Sequence, residues 1–249
     1  MNMLATLTTE NDIADERDVI GGNGPLNSGA YKFTIQYAYI GKANSGALSL
    51  NISAKNEDGR DLRQTLWMTS GTEKGCKNYY EKDGQKNYLP GFLHANAIAL
   101  LTCGKEISQL DTEKKVINLY SYEAKVEVPT PVDMVMDLVG KEVIFGVIKQ
   151  VVDKTAKNEA TGAYEPTGET REENEIDKVF RASDRKTTAE IRAKAEEATF
   201  IGSWTEKWEG KVRERAKGKG SAGMTGMPKV GGGAKASPAA GRPTTSLFG

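Results

Sequence analysis

Two stretches of alternating residues, Tyr31–Tyr39 and Leu48–Ala54, constrain this chain more than anything else in it. Tyr31, Phe33, Ile35, Tyr37 and Tyr39 hold the odd positions of the first, with mostly polar residues between them. Leu48, Leu50, Ile52 and Ala54 alternate with Ser49, Asn51, Ser53 and Lys55 in the second. Successive side chains of a strand point to opposite faces, so a period of two predicts strands with one buried face each. Asn56-Glu57-Asp58-Gly59 supplies a hairpin turn. A third strand follows, with Leu62, Leu66 and Met68 on one face and Arg63, Thr65 and Trp67 on the other. The expected nucleus is a three-stranded meander with all the first strand's odd positions, Tyr37 and Tyr39 included, turned towards a core.

The rest of the chain reads more coarsely. Pro90 to Gly104 has helical spacing of apolar residues, with Pro near the start and Gly just past the end, where helices favour them. Asn118–Val128 alternates like a strand and is expected to stop at Pro129 and Pro131. A short helix is expected over Val132–Leu138. Glu142–Val152 is apolar and β-branched, as a central strand would be. Residues 154–170 read as a long loop, and a last strand is expected from about Glu172 to Ala182. Thr187-x-x-Glu190 and Ser203-x-x-Glu206 are capping-box spellings, each predicting a helix. Trp204, Trp208 and Val212 would share one stripe, with both tryptophans anchoring the final helix.

Charge is balanced, 34 Lys+Arg against 34 Asp+Glu, so no global basic charge announces a polyanionic partner. Its distribution is uneven. Glu10, Asp12, Asp15, Glu16 and Asp18 make residues 1–28 an acidic arm, and beyond Glu214 every charged residue is basic. Residues 218–249, rich in Gly, Ala and Pro, are expected to be disordered and end in Leu247-Phe248. The domain expectation is therefore 1–28 arm, 29–183 barrel, 184–217 C-terminal helices packed on it, and 218–249 tail. Cys76 and Cys103 form no disulfide pattern, which favours a reducing, cytoplasmic setting. No apolar run approaches a membrane span, and the first residues lack the features of a secretory signal.

Enzymatic readings find little support. His94 is the only histidine and sits in an apolar helix; with two distant cysteines it makes no common zinc site. Gly24-Pro-Leu-Asn-Ser-Gly29 has phosphate-loop glycine spacing, but Ala30-Tyr31 replaces the required Lys-Ser/Thr. No catalytic constellation, metal site or cofactor is expected.

Three antiparallel strands, a helix, then further strands is the layout of a mainly β protein with peripheral helices: a five-stranded OB-fold barrel with insertions. In that fold the face of strands 2 and 3 and the flanking loops take oligonucleotides. On this mapping Arg63 and Trp67 lie on the binding wall. The segment from Lys74 to Tyr88 interleaves Lys74, Lys77, Lys82 and Lys86 with Tyr79, Tyr80 and Tyr88 around an Asp83-Gly84 turn. Ammonium groups attract phosphates and tyrosine faces stack bases. Lys149 and the 154–170 loop, with Lys154, Lys157 and Tyr164, are expected to reach the same groove as this connector.

The Leu62–Met68 strand, the LPGFLHANAIALL helix and the block DKVFRAS...TTAEI...WTEKWEGKVRERAKG resemble bacteriophage single-stranded DNA-binding proteins over roughly residues 29–217. That resemblance implies an OB-fold protein coating single-stranded DNA without sequence specificity during phage replication and recombination, in the host cytoplasm. Many such proteins end in an acidic tail, whereas this tail is basic. Leu247 and Phe248 are the candidate contacts for replication or recombination partners. The alternative is a structural or adaptor protein that binds other replication or virion proteins.

Overall fold

A computed structural model describes residues 24–121, 124–158 and 162–217. The chain is mainly β, built on one large, mostly antiparallel sheet with few helices. Strands β1 (Gly29–Lys42), β2 (Leu48–Asn56) and β3 (Asp61–Trp67) form the meander. A small hairpin, β4 (Tyr79–Lys82) and β5 (Gln85–Tyr88), precedes helix α1 (Pro90–Cys103). Then come β6 (Glu113–Ser121), β7 (Val126–Met134), β8 (Glu142–Lys157) and β9 (Tyr164–Arg181). Helices α2 (Thr188–Arg192) and α3 (Phe200–Trp208) and strand β10 (Val212–Glu214) complete it. Among the described residues no helix is long and apolar enough to cross a membrane.

The strand order is β3-β2-β1-β8-β9, with β10 alongside the far half of β8. Every pairing in that five-strand series is antiparallel, so β3 and β9, at its two ends, run the same way. They do not form a ladder, and the sheet is not closed, so among the described residues an open sheet stands where a five-stranded barrel was expected. The seam between them is bridged by side chains instead. Gln64 Oε1 accepts the Ile176 amide at 3.3 Å. Asn174 clamps Leu26 by accepting its amide at 2.7 Å and donating to its carbonyl at 2.8 Å. Leu26 is buried there, and Arg60 donates to the Gly24 carbonyl. The described part of the 1–28 arm, 24–28, is thus part of the domain rather than an appendage.

The core lies between the sheet and α1: Phe33, Ile35, Leu50, Ile52, Leu62 and Leu66 meet Ala95, Ile98 and Leu101. β8 is buried on both faces, which explains its unbroken apolar run. Val143, Phe145 and Val147 face the main core, while Ile144 and Ile148 meet Phe180, Ile201 and Trp204 under α3.

Several expected elements changed form. Where a loop was expected over 154–170, residues 154–157 continue β8 and 164–170 continue β9, paired out to Lys157↔Tyr164. Pro129 and Pro131 lie inside β7 rather than ending a strand, opposite Asn118 and Val116 of β6. Val132–Leu138 is strand to Met134 and then a single 3-10 turn. The Thr187 capping box is present, with Thr187 and Glu190 bonded reciprocally. Ser203, in contrast, falls inside α3, whose N-cap is Thr199. Val212 lies in β10, beyond the tryptophan helix. The segments 1–23 and 218–249, with Leu247 and Phe248, lie outside the described residues.

Candidate functional site

A β-bulge decides what the sheet presents to solvent. The β1–β2 register shifts between Ile35 and Tyr37, so Gln36 is an extra residue in β1. Before it the odd positions Phe33 and Ile35 are buried; after it Ala38 is, and Tyr37 and Tyr39 turn to the outer face. This corrects the expectation that both tyrosines belong to the core. The apolar residues of β1 change parity from Phe33 and Ile35 to Ala38 and Ile40, and that change was the sequence signal for the bulge.

The outer face of the meander now reads directly from the register. Tyr37 aligns with Ser53 and Arg63, Tyr39 with Asn51 and Thr65, and Gly41 with Ser49 and Trp67. The Tyr37 and Tyr39 ring centroids are 6.3 Å apart. Thr65 Oγ1 donates to Asn51 Oδ1 at 2.8 Å, and Asn51 Nδ2 donates to Ser49 Oγ at 3.2 Å. Burial pushes the Tyr39 phenol up from its ordinary value, Tyr37 adds to that, and the nearby Arg63 guanidinium partly offsets it. The phenol therefore stays neutral and available as a donor. Arg63 makes no ion pair among the described residues. Trp67 is 48% exposed. Its backbone is held by α1: a Cβ on Gly91 would lie 2.2 Å from the Trp67 carbonyl oxygen, so only glycine lets the helix start so close.

The Lys/Tyr connector leaves β3 at the Trp67 end and is an ordered hairpin. Asp83 and Gly84 both have positive φ, as a two-residue type I′ turn requires. Its neck is tied to the β1–β2 turn, since Thr72 N donates to Ser45 O at 2.7 Å and Leu48 N to Thr69 Oγ1 at 2.8 Å. Tyr79 pairs across with Tyr88. The ammonium groups of Lys77 and Lys86 stand 5.4 and 5.1 Å from the Tyr79 centroid, so two of the lysines cover this ring. Tyr88 packs against Phe92 at 5.1 Å. Tyr80, 38% exposed, makes no ring contact among the described residues. Lys74 and Lys82 are exposed and, like Lys77 and Lys86, without ion pairs among the described residues.

The structure does not bring the second basic group to this place. β8 and β9 project past the start of β1, near the β2–β3 turn, whereas the connector sits at the opposite ends of β1 and β3. Beyond Val151, the last partner of β10, six residues of β8 extend the ribbon by roughly 20 Å at strand rise. Lys149 pairs with Glu172 at 2.9 Å and Lys154 with Glu169 at 2.9 Å. Lys157 and the exposed Tyr164 stand opposite each other near the ribbon's end. The expected convergence of all these residues on one groove is corrected: Arg63, Trp67 and the connector form one group, and Lys149, Lys154, Lys157 and Tyr164 another.

Other candidates have structural partners. His94 Nε2 donates to the Asp177 carbonyl at 3.0 Å, and burial holds the imidazole below its ordinary pKa. Trp204 Nε1 donates to Asp177 Oδ2 at 2.8 Å and Arg213 Nη2 to Oδ1 at 2.7 Å. Arg213 also reaches Glu175 at 3.0 Å and lies over the Trp208 ring, while Arg215 reaches Glu175 at 3.1 Å. The glycine-spaced segment 24–29 is the strap held by Asn174. A polar cleft of about 470 Å³ opens beside it along the seam, lined by Arg60, Arg63, Glu172 and Glu173 among others. Among the described residues no three His, Cys, Asp or Glu side chains gather as a metal site would need. No protein-family model matches the chain, and no curated protein matches it.

Proposed function

We propose that this protein binds single-stranded DNA without sequence preference, on the outer face of β1–β3 and the neighbouring β4–β5 hairpin. The observation that carries the reading is the bulge at Gln36, which sets Tyr37 and Tyr39 beside Arg63 and Trp67 on one outer face. Aromatic faces stack bases of any identity, and unpaired cations attract the backbone. Binding then needs no base-edge code, and no chemistry follows it. The strand order supports the same reading: a meander, a helix, then two strands returning along the free side of β1, with β3 and β9 parallel across an open seam. We read this order as an OB-type, partly open Greek-key barrel, a fold whose strand 2–3 face takes oligonucleotides. On the resemblance carried by the Leu62–Met68 strand and the LPGFLHANAIALL helix, we propose that such binding serves phage replication and recombination.

The test is a titration of fluorescent oligo-dT at several salt concentrations, with duplex DNA as competitor. Binding of oligo-dT that weakens with salt and survives a duplex excess is the expected result. Equal affinity for duplex and single strand at low salt would overturn the reading.

A further inference from the structure

Among the described residues the hairpin of β6 and β7 pairs with the main sheet only where β7 meets Tyr39 and Ile40 of β1. Beyond that root it is a two-stranded ribbon with apolar residues on both faces. Val116 and Pro131 share one face; Ile117, Leu119, Val126 and Val128 share the other. Val116 is 67% exposed and Val126 is 55% exposed. A two-stranded ribbon alone is marginal in water and gains stability from a third strand or a covering layer.

The prolines determine which edge can receive one. In an antiparallel pair, directly opposed residues alternate between those that exchange hydrogen bonds and those that do not. Pro129 and Pro131 have no amide, so Asn118↔Pro129 and Val116↔Pro131 are non-bonded pairs. The amides and carbonyls of Lys114, Val116 and Asn118 therefore point away from β7. On the other side of the ribbon, two successive outward positions of β7 are the prolines themselves, which offer no donor. One edge is shut and the other is open. Among the described residues β6 pairs with β7 alone.

We propose that the open edge of β6 pairs with the β6 edge of a second copy of this chain, antiparallel, about a two-fold axis at Val116. The pairing is self-complementary. Val116 meets its own counterpart as a bonded pair, Lys114 faces Asn118 and Lys115 faces Ile117, so no two lysines are opposed. Lysines commonly guard exposed edges. Here both lie at the ribbon's root, and Lys114 is neutralised by Asp133 at 2.7 Å. Val116–Tyr120 carries no charge. Pairing would make a four-stranded sheet in which the apolar faces of the two ribbons run on into each other, an isologous interface of the commonest kind.

This inference is independent of DNA binding, and its test uses none. Sedimentation equilibrium of the full chain is expected to give a dimer mass that falls by half on dilution. Val116→Lys and Val116→Glu each place like charges across the axis and should each be monomeric with unchanged far-UV dichroism. Mixing the two variants in equal amounts should restore the dimer, which mere misfolding of a variant could not do. A wild-type monomer throughout the concentration range overturns the proposal. So does a dimer mass that both charge variants retain, or a mixture that stays monomeric.

Discussion

Gln64 of β3 accepts a hydrogen bond from the Ile176 amide of β9 across the seam where the two strands form no backbone ladder. With the Asn174 clamp on Leu26, this contact does locally what a row of paired strand amides does elsewhere in the sheet. Asn174→Ala leaves the buried Leu26 amide and carbonyl unsatisfied. It is expected to cost about 1–3 kcal/mol, read from denaturant unfolding. Hydrogen exchange should quicken at Leu26 and Ile176 before it does at the centre of β2. Uniform quickening would mean the seam is not a separate opening unit.

Trp67→Ala and Tyr39→Ala should each weaken oligo-dT binding by ~1–3 kcal/mol, roughly 5- to 150-fold, with the dichroism spectrum intact. The Trp67/Tyr79/Tyr80 triple alanine variant tests the face and hairpin together. Unchanged affinity in that variant would move the site off both elements.

The lysines divide into two classes by their partners. Lys77, Lys82 and Lys86 make no ion pair among the described residues, whereas Lys149 and Lys154 are held by Glu172 and Glu169. Each phosphate contact on a single strand contributes ~0.7 to the slope of log affinity against log salt. Glutamine at 77, 82 and 86 together should lower that slope by up to about 2. Glutamine at 149 and 154 should leave it where it was. An equal drop from both sets would show that the ribbon also touches the strand.

Deleting Gln36 removes the bulge and forces β1 into one parity. Either Tyr37 and Tyr39 enter the core or Phe33 and Ile35 leave it. A lowered melting temperature together with lost DNA binding is expected, while Gln36→Ser should preserve both. A deletion variant with wild-type affinity would separate the tyrosines from binding.

Acid should destabilise the fold in two windows. Burial holds His94 below its ordinary pKa of 6.5, so its contribution is complete above that value and fades as pH falls towards the folded one. At Asp177 burial alone would raise the carboxyl. The hydrogen bonds from Trp204 and Arg213, with the Arg213 charge, outweigh it and hold the pKa below 3.8. Its contribution is lost only as pH drops beneath that figure. Asp177→Asn should shrink the lower window, which the lowered Asp184 and Glu190 carboxyls share, and His94→Gln should remove the upper one, measured as unfolding midpoints from pH 7 to 3. Midpoints that keep the wild-type profile would assign the losses to other groups.

The sequence made some of this structure plain and concealed the rest for physical reasons. The β3 faces, α1 with its Pro90 and Gly104 ends, and the Thr187 capping box follow from local chemistry, where side-chain period and capping decide the outcome. The Gln36 bulge stayed hidden because Tyr37 and Tyr39 are apolar enough to continue an inward pattern. The β8–β9 ribbon read as a loop because Gly162, Gly168 and Pro166 are turn residues, although long pairing and pairs such as Lys154–Glu169 keep it extended. The prolines of β7 read as breakers since a sequence cannot show that they lie on an unpaired edge. Separation of the two basic groups was beyond local reasoning, because which end of the sheet a connector reaches depends on strand order.

The place of β8 in the sheet has a consequence for biosynthesis. β1, β2 and β3 can pair as soon as they leave the ribosome, but the Gly29–Thr34 edge of β1 receives Glu142–Val147 only much later in translation. Until then the nascent chain carries a folded meander with a bare apolar border. Chains stalled between α1 and β8 are the species on which chaperones and proteases would act first.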